Sequence, residues 1–172
     1  MLPAPLTMML AFLDVQKWRP QPVRRRGRRI RLFALETGSC EGCAMELIAL
    51  GSSVYPLEGS GFQRVQHPED ADWLLVTGAV TRSCAGTLAS AWEAMPAGRS
   101  LVAVGDCAHD GGPWKSSYAT LGGLQALTRV YGAIPGCPPS PEAILQALVE
   151  LAEGGSSSTG SQASSASRRS RQ

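Results

Sequence analysis

The chain has 172 residues, 44% of them hydrophobic, and 16 Lys and Arg against 14 Asp and Glu give a formal net charge of +2. This composition is ordinary for a soluble globular protein, and we expect one domain with tails. Five cysteines are too few and too scattered for a secreted disulfide scaffold. Their odd number favours a metal or redox role in a reducing compartment, and we expect a cytoplasmic protein.

The first 29 residues predict a separate segment. Apolar residues recur at helical spacing over residues 5–17, which predicts an amphipathic helix that packs on its own domain, on a partner subunit or at a membrane interface. It is shorter than the ~20 apolar residues of a membrane span, and the positive charges follow it, unlike those of a secretory signal. Arginines without interleaved aromatic residues are weak support for nucleic-acid binding. The arginine cluster that favours an anionic neighbour comprises Arg24, Arg25, Arg26, Arg28, Arg29 and Arg31.

From residue 30 the chain alternates between short apolar runs and helical patterns, which is typical of an α/β domain around a parallel sheet. Ser140 can cap the last helix, and Pro141 can occupy its first position. The Gly/Ser/Arg tract after Glu153 predicts disorder. The predicted strands cover residues 30–35, 72–77, 100–105 and 129–134, the last weakened by Gly132. The predicted helices cover residues 43–50, 84–95 and 139–152. The predicted divisions are an N-terminal segment 1–29, an α/β domain 30–153 and a tail 154–172.

Four of the five cysteines follow predicted strands. Cys40 and Cys43 follow the first strand, Cys107 follows the third and Cys137 follows the fourth. Because the carboxyl ends of parallel strands share one edge of a sheet, these thiols can meet although they are far apart in sequence.

The pair Cys40 and Cys43 alone fits a thioredoxin-like redox couple, half of a zinc site or part of an iron-sulfur cluster. A redox couple has no use for two further cysteines, and zinc sites usually take their ligands from local pairs, which Cys107 and Cys137 do not form. One local pair with two distant ligands suits a cluster of four irons and four sulfides. The pattern favours that cluster, with a stand-alone thiol oxidoreductase and a zinc-stabilised binding module as alternatives.

Four stretches, taken in chain order, resemble a known family: CEGCAMELIAL, DWLLVTGAVTR, LVAVGDCAHDGG and PGCPPSPEAILQAL. They resemble the iron-sulfur small subunit shared by membrane-associated nickel-iron hydrogenases and NADH:quinone oxidoreductase (complex I). This resemblance implies a flavodoxin-like domain in which Cys40, Cys43, Cys107 and Cys137 hold one 4Fe-4S cluster at the carboxyl ends of the strands. It also implies electron transfer with a large catalytic subunit, alongside a ferredoxin-like subunit and membrane subunits, on the cytoplasmic face of the cell membrane.

Two features look more like the hydrogenase branch of this family than the complex I branch. The first cysteines have the Cys-x-x-Cys spacing, and Asp106 precedes Cys107. The resemblance therefore favours the small subunit of an energy-converting nickel-iron hydrogenase linked to formate or carbon monoxide oxidation. The alternative is the 4Fe-4S subunit of an NADH:quinone oxidoreductase that donates electrons to quinone.

Three further residues are candidates for roles near the cluster. Glu46 matches a family glutamate, which implies proton movement in step with the electron; the alternative is a solvated or capping carboxylate in the first helical turn. Cys84 fits a small buried side chain at a helix start, with a reactive thiol or alternative ligand as the other possibility. His109 fits a solvent-facing loop histidine or a group that interacts with the cluster. Core or interface packing is expected of Trp73, Trp92 and Trp114.

Overall fold

The computed structural model describes residues 28–115 and 117–154 of the chain. The helix predicted over residues 5–17 and nearly all of the predicted tail lie outside the described residues. The boundaries of the three divisions therefore stay predictions.

Seven strands are present in the described residues, and five of them form a parallel sheet. In chain order they are β1 (Ile30–Glu36), β2 (Phe62–Arg64), β3 (Trp73–Thr77), β4 (Val80–Thr81), β5 (Ser100–Val104), β6 (Thr120–Gly122) and β7 (Gly132–Ile134). The main sheet has the order β2-β1-β3-β5-β7. Numbered among themselves in chain order, its strands lie in the flavodoxin-like order 2-1-3-4-5. The predicted α/β fold is confirmed.

Helices cover both faces of this sheet. They are α1 (Gly42–Ala49), α2 (Ala85–Ala94), α3 (Asp106–Asp110) and α4 (Pro141–Ala152). Leu47 of α1 and Leu148 of α4 pack in the core on one face, whereas Ala108 of α3 packs on the other. Since both faces are covered, every residue of β3 is buried, and the strand is a continuous apolar run instead of an alternating one.

The predicted cap and first residue of α4 are confirmed, although the helix begins at Pro141 and not at residue 139. The hydroxyl oxygen of Ser140 accepts a hydrogen bond from the Ala143 N–H at 3.3 Å, and Pro141 is the first helical residue. Proline suits this position because the first N–H of a helix has no intrahelical acceptor.

The last strand is shorter than predicted, because β7 begins at Gly132. A Cβ built on Gly132 would lie 2.4 Å from Cδ2 of Leu151 in α4. The glycine that weakens the strand pattern therefore has a packing role, since it lets α4 approach the sheet closely.

Four short elements escaped prediction. β2 is a three-residue edge strand, β4 and β6 form a separate antiparallel pair, and α3 has five residues. Such lengths are too short to show the periodicity of two for a strand or 3.6 for a helix. The carboxyl edge of the main sheet nevertheless depends on them, since α3 begins two residues after β5 ends.

Candidate functional site

The four cysteines reach the carboxyl edge of the sheet, as predicted. Cys40 lies in the loop after β1, Cys43 in the first turn of α1, Cys107 in α3 after β5, and Cys137 in the loop between β7 and α4. These positions follow three different strands, so the fold gathers thiols that are separated by up to 97 positions in the sequence.

Direct contacts join these loops. The Gly105 N–H donates to the Ile134 carbonyl at 2.7 Å, which extends the pairing of β5 with β7 toward Cys107 and Cys137. A Cβ built on Gly105 would lie only 2.6 Å from Sγ of Cys43. A Cβ on Gly42 would lie 3.6 Å from both Sγ of Cys40 and Cγ of Pro138.

Gly105 is required on two grounds. Its φ of 88° lies in the left-handed range, which L side chains rarely adopt, and the Cys43 sulfur leaves no room for a methyl group. At the neighbouring thiol, a Cβ on Gly112 would lie 3.2 Å from Sγ of Cys107. Side chains at these two positions would press on the sulfur atoms, so the glycines keep the surroundings of the thiols open.

A left-handed residue turns the chain between the first two cysteines. Glu41 has φ 67° and ψ −15°, and its N–H donates to Oγ of Ser39 at 2.9 Å. The Ser39 hydroxyl in turn donates to the Glu36 carboxylate. This turn leads from exposed Cys40 into α1, where Cys43 is buried.

Thr37 fixes the loop of the first cysteines to the end of β3. Its side chain is fully buried, and its hydroxyl donates to the Thr77 carbonyl at 3.1 Å. The Thr81 hydroxyl donates to the Thr37 carbonyl at 2.8 Å. Sequence reasoning missed this residue, although a Thr-Gly pair at the end of the first apolar run and another at the end of the second could have indicated it.

Burial and mutual proximity raise the pKa of two of the thiols. The pKa of Cys43 is raised to about 11, mainly by burial and further by the neighbouring Cys107, Cys40 and Cys137. Burial also raises the pKa of Cys107, again with contributions from Cys137 and Cys40. The four thiols are therefore close enough to interact, and a positively charged group beside them would stabilise the thiolate forms of Cys43 and Cys107.

These features fit an iron-sulfur cluster. Soft thiolates are the ligands that such clusters take, and glycines at positions 105 and 112 leave space at the sulfur atoms. Among the residues that the structure describes, no group of three or more His, Cys, Asp or Glu side chains is arranged to hold a metal ion. A cluster has a different requirement, since each thiolate binds its own iron and the four sulfurs surround a volume instead of one point.

The other predicted residues are placed differently from the thiols. Because α1 begins at Gly42, Glu46 lies in its second turn, so the predicted alternative of a capping carboxylate in the first turn is wrong. Cys84 lies at the start of α2, as predicted, but it is half-buried instead of buried. His109 lies in helix α3 and not in a loop, and its buried Nδ1 has no hydrogen-bond partner within the described part of the chain.

The tryptophans divide between core and surface. Trp73 is buried, with its ring centroid 5.4 Å from that of Tyr131, and Trp92 packs against the core beneath Arg99. Trp114 is 57% exposed, so it does not belong to the core. It lies two residues after Gly112, whose backbone lies against Cys107.

The sequence pattern of one protein family, described as NADH ubiquinone oxidoreductase, 20 Kd subunit, matches residues 40–151. The chain belongs to this family. The match begins at Cys40 and includes the other three cysteines of the site, and it confirms the family predicted from the sequence. The family is of the iron-sulfur-containing type.

Relatives of this 20 Kd subunit family occur in several complexes. The chain is 36% identical to a subunit of the F420H2 dehydrogenase of Methanosarcina mazei, covering 81% of this chain and 75% of that protein. It is 38% identical to a subunit of the NADH-quinone oxidoreductase of Bacteroides thetaiotaomicron, over 73% of this chain and 64% of that protein. It is 31% identical to formate hydrogenlyase subunit 7 of Escherichia coli, over 84% of this chain and 55% of that protein.

A solved structure shares the fold. The chain is similar to a chain of the membrane-bound sulfane sulfur reductase, an archaeal respiratory membrane complex, with a TM-score of 0.63 and 26% identity. The similarity covers 83% of this chain and 76% of that one.

The named relatives are thus subunits of multisubunit oxidoreductase complexes. Within residues 28–115 and 117–154, no helix has the length and apolar character needed to cross a bilayer.

Proposed function

We propose that this chain is the electron-transfer small subunit of a multisubunit, membrane-associated nickel-iron hydrogenase of the formate- or carbon-monoxide-linked type. Cys40, Cys43, Cys107 and Cys137 hold one 4Fe-4S cluster, which when bound takes up and releases a single electron. The electron passes between a ferredoxin-like subunit and the large catalytic subunit, at the cytoplasmic side of the membrane.

The meeting of the four thiols at one edge of the sheet is the observation that carries this proposal. Cys107 and Cys137 are brought together by hydrogen bonds between their loops, and Cys43 lies against Gly105 in the same contact region. The four thiols are close enough to interact electrostatically, and the pKa values of two of them are raised. A cationic group would stabilise such a set of sulfur ligands.

The uneven exposure of the thiols supports a role in transfer between subunits. Cys43 is 8% exposed, whereas Cys40 and Cys137 are exposed, so the site is closed toward the core and open toward the surface. Met45 and Ile48 lie on the same helix as Cys43 and are 66% and 61% exposed. Three positions apart, they form a small apolar patch on the helix surface, which a large subunit would cover.

A stand-alone thiol oxidoreductase is a weaker candidate. A reactive cysteine attacks as the thiolate, and its pKa is lowered by positive surroundings. The pKa of Cys43 moves in the opposite direction, to about 11, because the thiol is buried and lies among other thiols. The Cys40 and Cys43 pair therefore suits ligation better than disulfide exchange.

Glu46 is proposed to move a proton in step with the electron. It follows Cys43 by one helical turn and is only partly exposed, on the side of α1 that carries Cys43 and Leu47. A carboxylate beside a centre that changes its charge responds to each reduction. We expect Glu46→Gln to leave the iron content of the complex unchanged and to slow turnover most at high pH, where protons are scarce. An unchanged pH profile of turnover would contradict this role.

The proposed function is tested by metal analysis of the complex that co-purifies without oxygen with the tagged chain from its native host. Iron and sulfide together with nickel would support the hydrogenase assignment. Iron and sulfide without nickel would support the second candidate, a quinone-reducing complex, which the similarity to the NADH-quinone oxidoreductase of Bacteroides thetaiotaomicron favours. A complex with zinc or no metal would overturn both.

A further inference from the structure

Asp106 links the loops of the two distant cysteines. Its N–H donates to the Gly136 carbonyl at 3.0 Å, and its Oδ1 accepts a hydrogen bond from the Gly136 N–H at 2.8 Å. Asp106 directly precedes Cys107, and Gly136 directly precedes Cys137. One residue thus exchanges two hydrogen bonds with the residue next to the other cysteine, and the pair spaces the two thiols.

The side chain of Asp106 acts just beyond the end of the ladder between β5 and β7. The ladder between β5 and β7 ends at the pair Val104 and Ile134, and Gly105 then turns the chain out of the strand with φ 88° and ψ 158°. Beyond this turn a carboxylate oxygen takes the place of a backbone acceptor for the Gly136 N–H. That N–H is therefore held by Asp106 and is not available to a cluster sulfur.

The Asp106 carboxylate forms no ion pair within the described part of the chain, whereas Asp110 at the other end of α3 lies 3.9 Å from Nζ of Lys115. Asp106 directly precedes Cys107, and its carboxylate is bound to the residue before Cys137, so its charge lies close to these two thiols. The aspartate therefore places a negative charge beside sulfur atoms that would carry negative charge themselves.

We propose that Asp106 is a positioning residue that joins the loops of Cys107 and Cys137 and lowers the reduction potential of the group that the four thiols hold. This inference rests on the proposed function. Adding one electron makes the cluster more negative by one charge, and a fixed carboxylate disfavours that state. Asp106 also withholds the Gly136 N–H, and hydrogen bonds to sulfur are among the factors that set cluster potential.

The test is Asp106→Asn in the complete complex, purified without oxygen. Asparagine keeps an oxygen that can accept from the Gly136 N–H but removes the charge. We expect iron and sulfide content to equal that of the wild type, and the midpoint potential, measured by redox titration followed by electron paramagnetic resonance, to move upward. Asp106→Ala removes the acceptor as well, and we expect it to lower the iron content.

Two variants serve as controls for the charge change. Asp110→Asn removes a charge from the other end of the same helix, where Nζ of Lys115 lies 3.9 Å away, and Glu93→Gln removes an exposed charge from the far end of α2. Both are expected to shift the potential less than Asp106→Asn. An unchanged potential in Asp106→Asn, or an equal shift in Asp110→Asn, would overturn the inference.

A further variant covers the case in which Asp106→Asn loses the cluster. Asp106→Ser also offers an acceptor oxygen without charge, and its potential must then move upward in the same way. Loss of iron in both variants would overturn the effect on potential and leave Asp106 only a structural role. A wild-type complex without iron and sulfide would instead overturn the proposed function itself.

Discussion

The two edges of the main sheet carry charge in opposite ways. At the amino edge, Arg31 and Asp72 bind each other at the starts of β1 and β3, with both side-chain nitrogen–oxygen distances at 3.2 Å. At the carboxyl edge, Cys43, Cys107 and Asp106 interact with one another, and no described cation pairs with Asp106. The charges of Arg31 and Asp72 are paired at the amino edge, whereas the charge of Asp106 at the carboxyl edge has no ion-pair partner among the described residues.

The pKa values follow this difference. Burial alone would raise the pKa of Asp72, but the hydrogen bonds from the Arg31 side chain and N–H outweigh burial and lower it. At the carboxyl edge burial and like charges act in the same direction, and the pKa of Cys43 rises to about 11. The amino edge stabilises the fold by itself, whereas under the proposed function the carboxyl edge would be completed by the cluster that the four thiols hold.

The largest effect is expected from removing a thiol at the carboxyl edge. We expect Cys43→Ser to lower the cluster content and electron-transfer rate of the complex by at least about 10-fold, because even residues that only support metal ligands have effects of that size. Iron and sulfide analysis and the visible spectrum measure this. Cys84→Ser is the matched control, and we expect it to leave the cluster intact. The reverse pattern would contradict the ligand assignment.

The second test uses a matched pair of glycines, one from each edge. Gly105 and Gly98 have φ values of 88° and 86°, but a Cβ on Gly105 would lie 2.6 Å from Cys43 Sγ, whereas a Cβ on Gly98 would meet nothing within 4 Å. We expect Gly98→Ala to lower the free energy of unfolding by about 1 kcal/mol through backbone strain, and Gly105→Ala by about 3 kcal/mol.

Urea denaturation of the two glycine variants measures this difference. Iron analysis of the complexes adds a second measurement, since only Gly105→Ala displaces a thiol of the site. Equal losses of stability, with iron content retained in both variants, would show that the contact of position 105 with Cys43 affects neither stability nor iron binding.

The smallest effect is expected at the amino edge, and it depends on pH. The folded-state pKa of Asp72 is lowered, so its stabilisation is complete above the unfolded pKa of about 3.9 and is lost as pH falls through the lower folded value. We expect Asp72→Asn to lower the free energy of unfolding by about 1 kcal/mol at neutral pH, after allowance for partial exposure to solvent. The difference from the wild type should shrink below pH of about 4.

Glu58→Gln is the control for that measurement. Glu58 pairs with Arg29 at 3.5 Å, but both side chains are exposed, and such pairs contribute little. Denaturant unfolding of both variants across the acid range makes the comparison. A pH-independent effect of Asp72→Asn would mean that the ion pair with Arg31 does not carry the stabilisation.

The thiol edge was predictable because its position depends on chain order. Cys40, Cys107 and Cys137 each follow an apolar run, and parallel strands place all such positions at one edge. The turn geometry within this edge was not predictable. Glu41 adopts a left-handed conformation that its residue type does not indicate, and α1 begins one residue earlier than predicted, which moves Glu46 into the second turn.

The role of Asp106 could not be derived from sequence either. Its partner Gly136 lies 30 positions away, and their hydrogen bond exists only because Gly105 turns the chain out of β5. In the sequence the aspartate resembles a feature of one branch of the family, without a contact to explain it. Local sequence patterns indicate which residues follow a strand. They do not indicate which side chain accepts a hydrogen bond from a neighbouring loop, because that contact forms only when the strands have paired.

The spread of the thiols along the chain has a consequence for the order of assembly. Cys40 and Cys137 follow the first and last strands of the main sheet in chain order, so the four thiols are gathered only after β7 has joined β5. If Cys40 and Cys137 hold one cluster, as proposed, that cluster would join the two ends of a chain segment that contains nearly the whole sheet. Like a crosslink over a long loop, it would lower the entropy of the unfolded chain and so oppose unfolding of the entire domain.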